Sequence, residues 1–255
     1  MSAIGLAQAF TDTFDTIDPA WHTDRYEPAG FTSSFFDGDN RLKIDISQAD
    51  DYQNRPAAYQ STFYNTQGRQ RAASLATQWE VSGDLYISND MLDGNNLRRT
   101  DLWARDSNTD ENSARYPIIG VVRNDANDPF NSSGMLTTRY RVWDDNTTNG
   151  WVDLGTAVTA GWHHLSIVGT GTTFEYSIDG NNVYSESPGS ATGFDALQTV
   201  FVQAYSFGDA THTGNGGYSV YWDNISAQPV PEPATLAVIG LGLLGVIRRR
   251  KARKA

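Results

Sequence analysis

Short stretches that alternate apolar and polar residues recur along this chain, and they constrain its fold more than any other feature. In Arg41–Ser47, the residues Leu42, Ile44 and Ile46 fall on one face, because successive side chains of a β-strand point to opposite sides. Most of the similar stretches are rich in β-branched and aromatic residues, which suit a pleated surface. Further strands are predicted at Leu75–Ser88 with a break at Ser82–Gly83, Tyr116–Arg123, Leu136–Trp143, Trp162–Val168, Thr172–Ile178, Val200–Phe207 and Tyr218–Ser226.

Residues that favour tight turns separate the predicted strands. Asp37–Asn40, Gly169–Gly171 and Asp179–Asn182 contain Gly, Asn and Asp, which tolerate positive φ. Turns recur about every 8–12 residues, a spacing typical of sandwiches and barrels. No stretch before Pro233 repeats apolar residues with the helical period of about 3.6. We therefore predict one all-β domain over residues 10–228, a length that can bury its own core.

The charge balance argues against a nucleic-acid partner. The chain carries 19 basic and 30 acidic residues, a net charge of −11. Six of the basic residues and one acid lie beyond Val230, so the preceding body keeps 13 basic against 29 acidic residues, a net charge of −16. Phosphate backbones would repel such a body. The chain has no cysteine, which excludes disulfides, Cys-ligated zinc and a thiol nucleophile.

The N-terminal sequence MSAIGLAQA has the features of the end of a secretory signal peptide, because a short apolar stretch closes on Ala-Gln-Ala. No basic segment precedes the apolar residues, so an ordinary chain terminus is the alternative. We predict that residues 1–9 are the remnant of a signal peptide.

The segment GWHHLSIVGTGTTFEYSIDGNNVY, residues 161–184, has the pattern of a strand, a glycine turn and a returning strand that closes on Asp179-Gly180. This pattern resembles the concanavalin A-like and laminin-G-like jelly rolls. Phe10–Asp15 and Tyr221–Ile225 resemble the first and last strands of that fold, which lie side by side. The resemblance implies an all-β domain, a two-sheet antiparallel jelly-roll sandwich of the concanavalin A-like type.

No catalytic residue is predicted. Glucanases of this fold carry Glu-x-Asp-x-x-Glu on one strand, and the five glutamates of the body do not form that motif. Related polysaccharide lyases use an arginine-rich strand, a Gln-x-His strand and a tyrosine strand. Arg98–Trp103 is similar to the first, but Gln203–Tyr205 lacks the histidine of the second. We therefore interpret Arg98 and Arg99 as an exposed basic patch.

The missing carboxylate motif favours a non-catalytic carbohydrate-binding or structural module of the cell surface or extracellular matrix. A polysaccharide hydrolase or lyase with a divergent active site is the alternative. Trp103, Trp143 and Trp151 are the candidate carbohydrate-binding residues, because each flanks a polar loop. Packing is their competing role, since aromatic side chains also dominate the cores of sandwiches.

Asp12, Asp15 and Asp223 are the candidate metal ligands. Sandwich domains that bind carbohydrate often hold a structural calcium ion between the first and last strands, and carboxylate oxygens suit this hard cation. By resemblance, the three aspartates could share one calcium ion. Asp and Asn at strand ends also form good turns, so the sequence leaves both interpretations open.

The tail, residues 229–255, has a composition of its own. Its parts, in order, are the triplet Pro231, Glu232 and Pro233, the uncharged apolar run Ala234–Ile247, and the basic residues Arg248, Arg249, Arg250 and Lys251. The run is shorter than the roughly 20 residues of a full bilayer span, so a buried helix competes on length. It is apolar on all sides, however, and the basic residues favour the cytoplasmic face of a membrane. We predict a short C-terminal hydrophobic helix that acts as a membrane anchor.

The order of these three parts resembles the PEP-CTERM sorting signal. The resemblance implies export from a bacterial cell and transient anchoring in the inner membrane. It also implies that an exosortase recognises the Pro-Glu-Pro triplet and removes the tail. The mature protein would then remain at the cell surface or in an extracellular polysaccharide matrix.

Overall fold

The computed structural model describes residues 9–50, 54–76, 78–93, 97–108, 113–124, 137–194, 196–206 and 217–230. The strands are β1 Phe10–Asp12, β2 His22–Thr23, β3 Gly30–Phe36, β4 Asp39–Ile46, β5 Thr66–Ala76, β6 Trp79–Ile87, β7 Arg98–Ser107, β8 Ala114–Arg115, β9 Ile118–Asn124, β10 Thr137–Trp143, β11 Trp151–Asp153, β12 Gly161–Gly169, β13 Phe174–Ile178, β14 Asn181–Ser185, β15 Ala196–Tyr205 and β16 Tyr218–Pro229. The helical elements are α1 Asn89–Leu92 and the 3-10 turns Gln48–Asp50, Ala57–Tyr59 and Thr62–Asn65. Most of the predicted signal remnant and the whole tail from Pro231 onward, with its predicted helix, lie outside the described residues.

The strands form two antiparallel sheets. The first sheet has the order β14-β13-β12-β6-β16-β4-β3, and β1 also pairs with β16. The second has the order β11-β10-β9-β7-β15-β5-β2, and β8 also pairs with β7. The chain is thus the predicted all-β antiparallel sandwich. Its first and last strands lie side by side as predicted, with Phe10 opposite Ala227.

Strand alternation buries the faces that the two sheets turn toward each other. From the first sheet, Leu42, Ile44 and Ile46 enter the core as their spacing predicts, and from the second sheet Leu102 and Val121 do so. Burial of each such side chain stabilises the fold by about 1.5–3 kcal/mol. The two sheets are therefore held together mainly by apolar packing between their inner faces.

One polar contact also joins the two layers. The indole Nε1 of Trp222, on β16, donates a hydrogen bond to Thr100 Oγ1, on β7, at 2.8 Å. Both side chains are fully buried. The bond gives the buried indole N–H an acceptor, which the surrounding apolar side chains cannot provide.

The predicted break at Ser82–Gly83 is wrong, because β6 runs without interruption from Trp79 to Ile87. The preceding strand, β5, ends at Ala76, and β6 begins at Trp79. Gly83 marks a close approach rather than a turn, since a Cβ atom there would lie 2.4 Å from Ile225 Cδ1.

The interpretation of Arg98 and Arg99 as an exposed patch is also wrong. The two side chains belong to β7 and are 4% and 9% exposed. Arg98 Nε lies 2.5 Å from Asp90 Oδ2, and Arg99 Nε lies 2.5 Å from Asp101 Oδ2. Both arginines are buried because carboxylates and aromatic rings cover them.

Candidate functional site

The structure brings the three candidate tryptophans together on the outer face of the second sheet. Five residues that lie opposite one another on neighbouring strands form one row across the sheet. Their order is Trp151, Trp143, Ile118, Trp103 and Phe201. The rings of Trp143 and Trp151 meet edge to face with centroids 5.2 Å apart, and those of Trp103 and Phe201 are 6.0 Å apart. The row crosses four strand spacings, or about 19 Å. We refer to this surface as the tryptophan face.

A polar row runs beside the aromatic one. Register places its members in the order Asp153, Arg141, Gly120, Asp101, Gln203 and Gly68. The two glycines make room for their neighbours. A Cβ atom on Gly120 would lie 2.3 Å from Asp101 Oδ1, and one on Gly68 would lie 2.9 Å from Gln203 Oε1. The side chains of Asp101 and Gln203 therefore occupy space that any other residue would fill.

Buried arginines surround the tryptophans. Arg141, which is 1% exposed, places its guanidinium carbon 3.8 Å from the centroid of the Trp151 ring. Arg99 approaches the same ring at 4.6 Å. Nearby, Arg139 Nε lies 2.8 Å from Asp153 Oδ2. Cation–π contacts strengthen when the cation is removed from water, so Arg141 and Arg99 hold Trp151 in a fixed orientation.

Three polar atoms of the tryptophan face have no hydrogen-bond partner within the described part of the chain. They are Asp101 Oδ1, Gln203 Oε1 and Trp103 Nε1, on side chains that are 1%, 0% and 6% exposed. A buried polar atom without a partner costs about 1–3 kcal/mol. Such atoms in a native structure call for a partner outside the protein, such as water or a ligand.

The β2 edge of the tryptophan face carries a third carboxylate, beside Asp101 and Asp153 of the polar row. Asp24 Oδ2 accepts a hydrogen bond from Gln203 Nε2 at 3.2 Å. Burial raises the pKa of Asp24, and the charge of the neighbouring Arg25 opposes that shift. Arg25 in turn lies between two rings, with its guanidinium carbon 4.3 Å from the centroid of Phe63 and 4.8 Å from that of Trp103.

A buried glutamate supports the strand end that presents Trp143. The Tyr176 hydroxyl contacts both the Trp143 carbonyl oxygen and a carboxylate oxygen of Glu186. Burial raises the pKa of Glu186 to about 7; the Tyr176 hydrogen bond lowers it and the charge of Asp144 raises it further. On the other side, a Cβ atom on Gly150 would lie 2.3 Å from the Trp143 ring, so this turn accepts only glycine.

The candidate calcium ligands are partly brought together. Asp12 and Asp15 line one pocket of about 380 Å³, with Asp18 and Arg71, and Asp223 is not among its lining residues. The Asp12 carboxylate is already engaged, because Trp21 Nε1 donates to it at 2.8 Å and Arg71 lies at 3.2 Å.

The third candidate ligand, Asp223, forms an ion pair with Arg41 instead. Within the described residues, no group of three or more His, Asp or Glu side chains is placed to hold a metal ion. A calcium ion on Asp12 would have to displace Arg71, and calcium binding stays a prediction.

The tail is identified by its sequence, since it lies beyond the described residues. Residues 229–251 match the family model described as the PEP-CTERM protein-sorting motif. The chain therefore carries a PEP-CTERM sorting motif. The PEP-CTERM match begins at Pro229, the residue at which β16 ends. It indicates an exported protein that is sorted by an exosortase. In the part of the chain that the structure describes, no helix has the length and apolar character needed to cross a membrane.

Solved structures similar to the sandwich include an alginate lyase, an endo-glucanase and a protein described as a pseudo β-1,3-glucanase. An alginate lyase solved with an alginate trisaccharide has 10% identity and a TM-score of 0.56, and the match covers 89% of this chain and 100% of that one. A family 16 endo-glucanase from Bacteroides ovatus has 13% identity and a TM-score of 0.53, with 87% and 99% covered.

A pseudo β-1,3-glucanase of Mycobacterium tuberculosis has 15% identity and a TM-score of 0.50, with 89% and 100% covered. A sialidase has 13% identity and a TM-score of 0.51, and the match covers 88% of this chain but only 18% of the sialidase. At such identities the similarity concerns the jelly-roll fold and not the activity. No curated protein is similar enough in sequence to this chain to count as a relative.

Proposed function

We propose that this exported protein is a non-catalytic surface or matrix module that binds polysaccharide on the tryptophan face. The observation that carries the proposal is the pair of half-buried rings Trp151 and Trp143, in one row with the buried Trp103 and beside unpartnered buried polar atoms. Aromatic rings offer flat apolar area to the faces of sugar rings, and the polar atoms suit their hydroxyl groups. In this proposal the tail anchors the protein in the inner membrane until an exosortase removes it.

The charge of the face favours an acidic polysaccharide. Arg99, Arg139 and Arg141 lie beside the tryptophans and outnumber Asp101 and Asp153, the two carboxylates paired with them, although the body as a whole is acidic. Guanidinium groups recognise carboxylates through paired hydrogen bonds. The negative body would repel an acidic chain elsewhere and direct it to this face. The structural similarity to a lyase solved with an alginate trisaccharide is consistent with this class of ligand.

The arrangement of carboxylates supports a binding role rather than hydrolysis. Asp101 lies at the centre of the face and is held by Arg99. Asp153 lies on β11, three strand spacings from β7, so the two backbone positions are about 14 Å apart. Glycosidases place their two carboxyl groups roughly 5–10 Å apart. The similarity to a pseudo β-1,3-glucanase is compatible with a non-catalytic module on this fold.

One observation favours the alternative, a hydrolase or lyase with a divergent active site. Asp24 follows β2, which is also three strand spacings from β7, but its carboxylate reaches inward to Gln203, the residue opposite Asp101. Burial raises the pKa of Asp24, which is what a general acid needs near neutral pH. In this alternative, Asp24 would donate a proton and Asp101 would act as the second carboxylate.

Binding and product formation, measured together, test the two functions. Binding of the exported protein to alginate and to a neutral mixed-linkage β-glucan is measured by calorimetry, with parallel assays for new reducing ends and unsaturated sugars. Alginate binding without product supports the proposal. Product formation that Asp24→Asn abolishes supports the enzyme, whereas absence of binding to both polymers contradicts polysaccharide recognition.

A further inference from the structure

Exposed aromatic rings continue the tryptophan face beyond its sheet. Among the described residues, the exposed large hydrophobic side chains are Phe35, Tyr59, Phe63 and Tyr116, at 75%, 38%, 55% and 38% exposure. Tyr116 borders the tryptophan face, where it packs against Phe201. Tyr59 and Phe63 belong to the segment 56–65, which we name the aromatic loop. Three of the four exposed rings therefore border one side of the molecule.

The aromatic loop is joined to the tryptophan face through Arg25. The Arg25 guanidinium lies between the Phe63 ring at 4.3 Å and the Trp103 ring at 4.8 Å. From Phe63 the aromatic contacts continue to Tyr64 at 5.1 Å and from Tyr64 to Tyr59 at 5.0 Å. The aromatic loop thus adjoins the tryptophan face through Arg25, on the side of that face where β15 ends.

Buried hydrogen bonds hold the aromatic loop in place. Arg55 is 3% exposed and donates to Asn65 Oδ1 at 2.8 Å and to Ser206 Oγ at 2.9 Å. Gln60 Nε2 donates to the Arg55 carbonyl oxygen at 2.9 Å. The loop is therefore tied to the end of β15, and its rings need little ordering to receive a ligand.

We propose that Phe63 and Tyr59 form an outer stacking site for the same acidic polysaccharide chain that the tryptophan face binds. The inference rests on the proposed function and extends it, because it sets the length of chain that the protein recognises. A short oligosaccharide fits on the tryptophan row, which spans about 19 Å. A longer chain continues over Arg25 onto the aromatic loop, so the protein prefers the interior of long chains to short fragments.

Ligands of two lengths test this inference. The dissociation constants of the exported protein for alginate polymer and for alginate trisaccharide are compared with those of Phe63→Ala and Tyr59→Ala. We expect each substitution to weaken polymer binding by about three- to tenfold, the contribution of one stacked ring. Trisaccharide binding should stay within about twofold, because the trisaccharide occupies the tryptophan row.

Two controls keep the result specific. Phe35→Ala removes an even more exposed phenylalanine from the first sheet and should change neither constant. Phe63→Tyr keeps the aromatic ring and should keep the affinity for alginate polymer. Phe63→Leu keeps only the apolar bulk and should weaken polymer binding. Thermal unfolding of each variant confirms that the sandwich is intact.

The outcomes separate this inference from the proposed function. If Trp151→Ala weakens binding of both ligands while Phe63→Ala changes neither, the outer site is wrong and the tryptophan face stands. If Phe63→Ala weakens polymer and trisaccharide equally, Phe63 does not form an outer site. If the unaltered protein binds neither ligand, the acidic-polysaccharide function fails and the outer site fails with it.

Discussion

The Tyr176 hydroxyl lies 2.7 Å from Glu186 Oε1 and 3.0 Å from the carbonyl oxygen of Trp143. A phenol has one proton and cannot fully satisfy two acceptors. A proton on Glu186 removes this conflict, because the Glu186 carboxyl group then donates to the Tyr176 hydroxyl and that hydroxyl donates to the carbonyl oxygen of Trp143. The raised pKa of Glu186 agrees with this neutral form. A buried protonated carboxyl group therefore supports the strand end that presents a residue of the tryptophan face.

Folding stability is expected to fall as pH rises from about 4.5 to about 7, the interval between the unfolded and folded pKa values of Glu186. Folded Glu186 keeps its proton up to about pH 7, whereas the unfolded chain releases it near the ordinary pKa of 4.5. In this window the folded state binds the extra proton, so rising pH favours unfolding, at a cost on the order of 2 kcal/mol. Urea unfolding at stepped pH measures the slope.

Two variants test whether Glu186 causes this pH dependence of the free energy of unfolding. Glu186→Gln should remove the contribution of Glu186 to the slope, because an amide donates to Tyr176 at every pH. Glu175→Gln changes a glutamate on the outer side of β13 and should leave the slope as it was. An unchanged slope in Glu186→Gln would show that Glu186 does not carry this proton.

His164 is expected to titrate above its ordinary pKa. Its Nδ1 lies 2.6 Å from Asp84 Oδ1, and this hydrogen bond raises the pKa of His164 while partial burial opposes the shift. While Asp84 is ionised, the pair stabilises the fold below about pH 6.5, and that contribution is lost as pH rises through the raised pKa of His164. NMR titration of the imidazole measures the pKa. Asp84→Asn should return it toward the ordinary value, and a value that does not move would contradict the pairing.

Gly120→Ala should disturb the centre of the tryptophan face. The added Cβ would lie 2.3 Å from Asp101 Oδ1 and 2.3 Å from the Thr100 carbonyl oxygen, and the backbone atom cannot move aside easily. We expect a loss of about 1–3 kcal/mol in the free energy of unfolding, together with weaker alginate binding. Gly155→Ala is the matched control, since nothing lies within 4 Å of its added Cβ. Equal stability of the two variants in urea would show that Gly120 has more room than its neighbours imply.

Export should shorten the chain at its C-terminus. The PEP-CTERM motif spans residues 229–251, so processing by an exosortase removes the apolar run and the basic residues after it. Intact-mass spectrometry of protein from exosortase-positive cells should show a mass below that of the same protein from cells without the enzyme. Equal masses in the two strains would contradict processing of the tail.

Local patterns were sufficient to predict much of the fold. The alternation of Leu42, Ile44 and Ile46 placed them in the core, where all three are buried. The resemblance of Phe10–Asp15 and Tyr221–Ile225 to first and last strands predicted the pairing of β1 with β16. These features depend on neighbours in sequence or on a familiar strand pattern, so the amino-acid sequence contains them directly.

The candidate site depends on pairings that the sequence does not contain. The sequence singled out Trp103 and Trp151, but their shared row depends on the register of β7, β9, β10 and β11. Arg99 looked exposed because the ring that covers it, Trp151, lies far along the chain. Gly120, inside an apolar strand, was the available signal, since glycine in a strand often marks a close approach.

The binding of alginate to Trp151→Ala and Trp162→Ala tests the central claim most directly. Both residues are half-buried tryptophans, but Trp151 belongs to the tryptophan face and Trp162 to the outer face of the first sheet. For Trp151→Ala we predict a dissociation constant raised by at least about tenfold, with an unchanged near-ultraviolet circular dichroism spectrum apart from the lost indole. For Trp162→Ala we predict a change of less than about twofold. Unchanged affinity in Trp151→Ala, or an equal loss in both variants, would contradict binding at the tryptophan face.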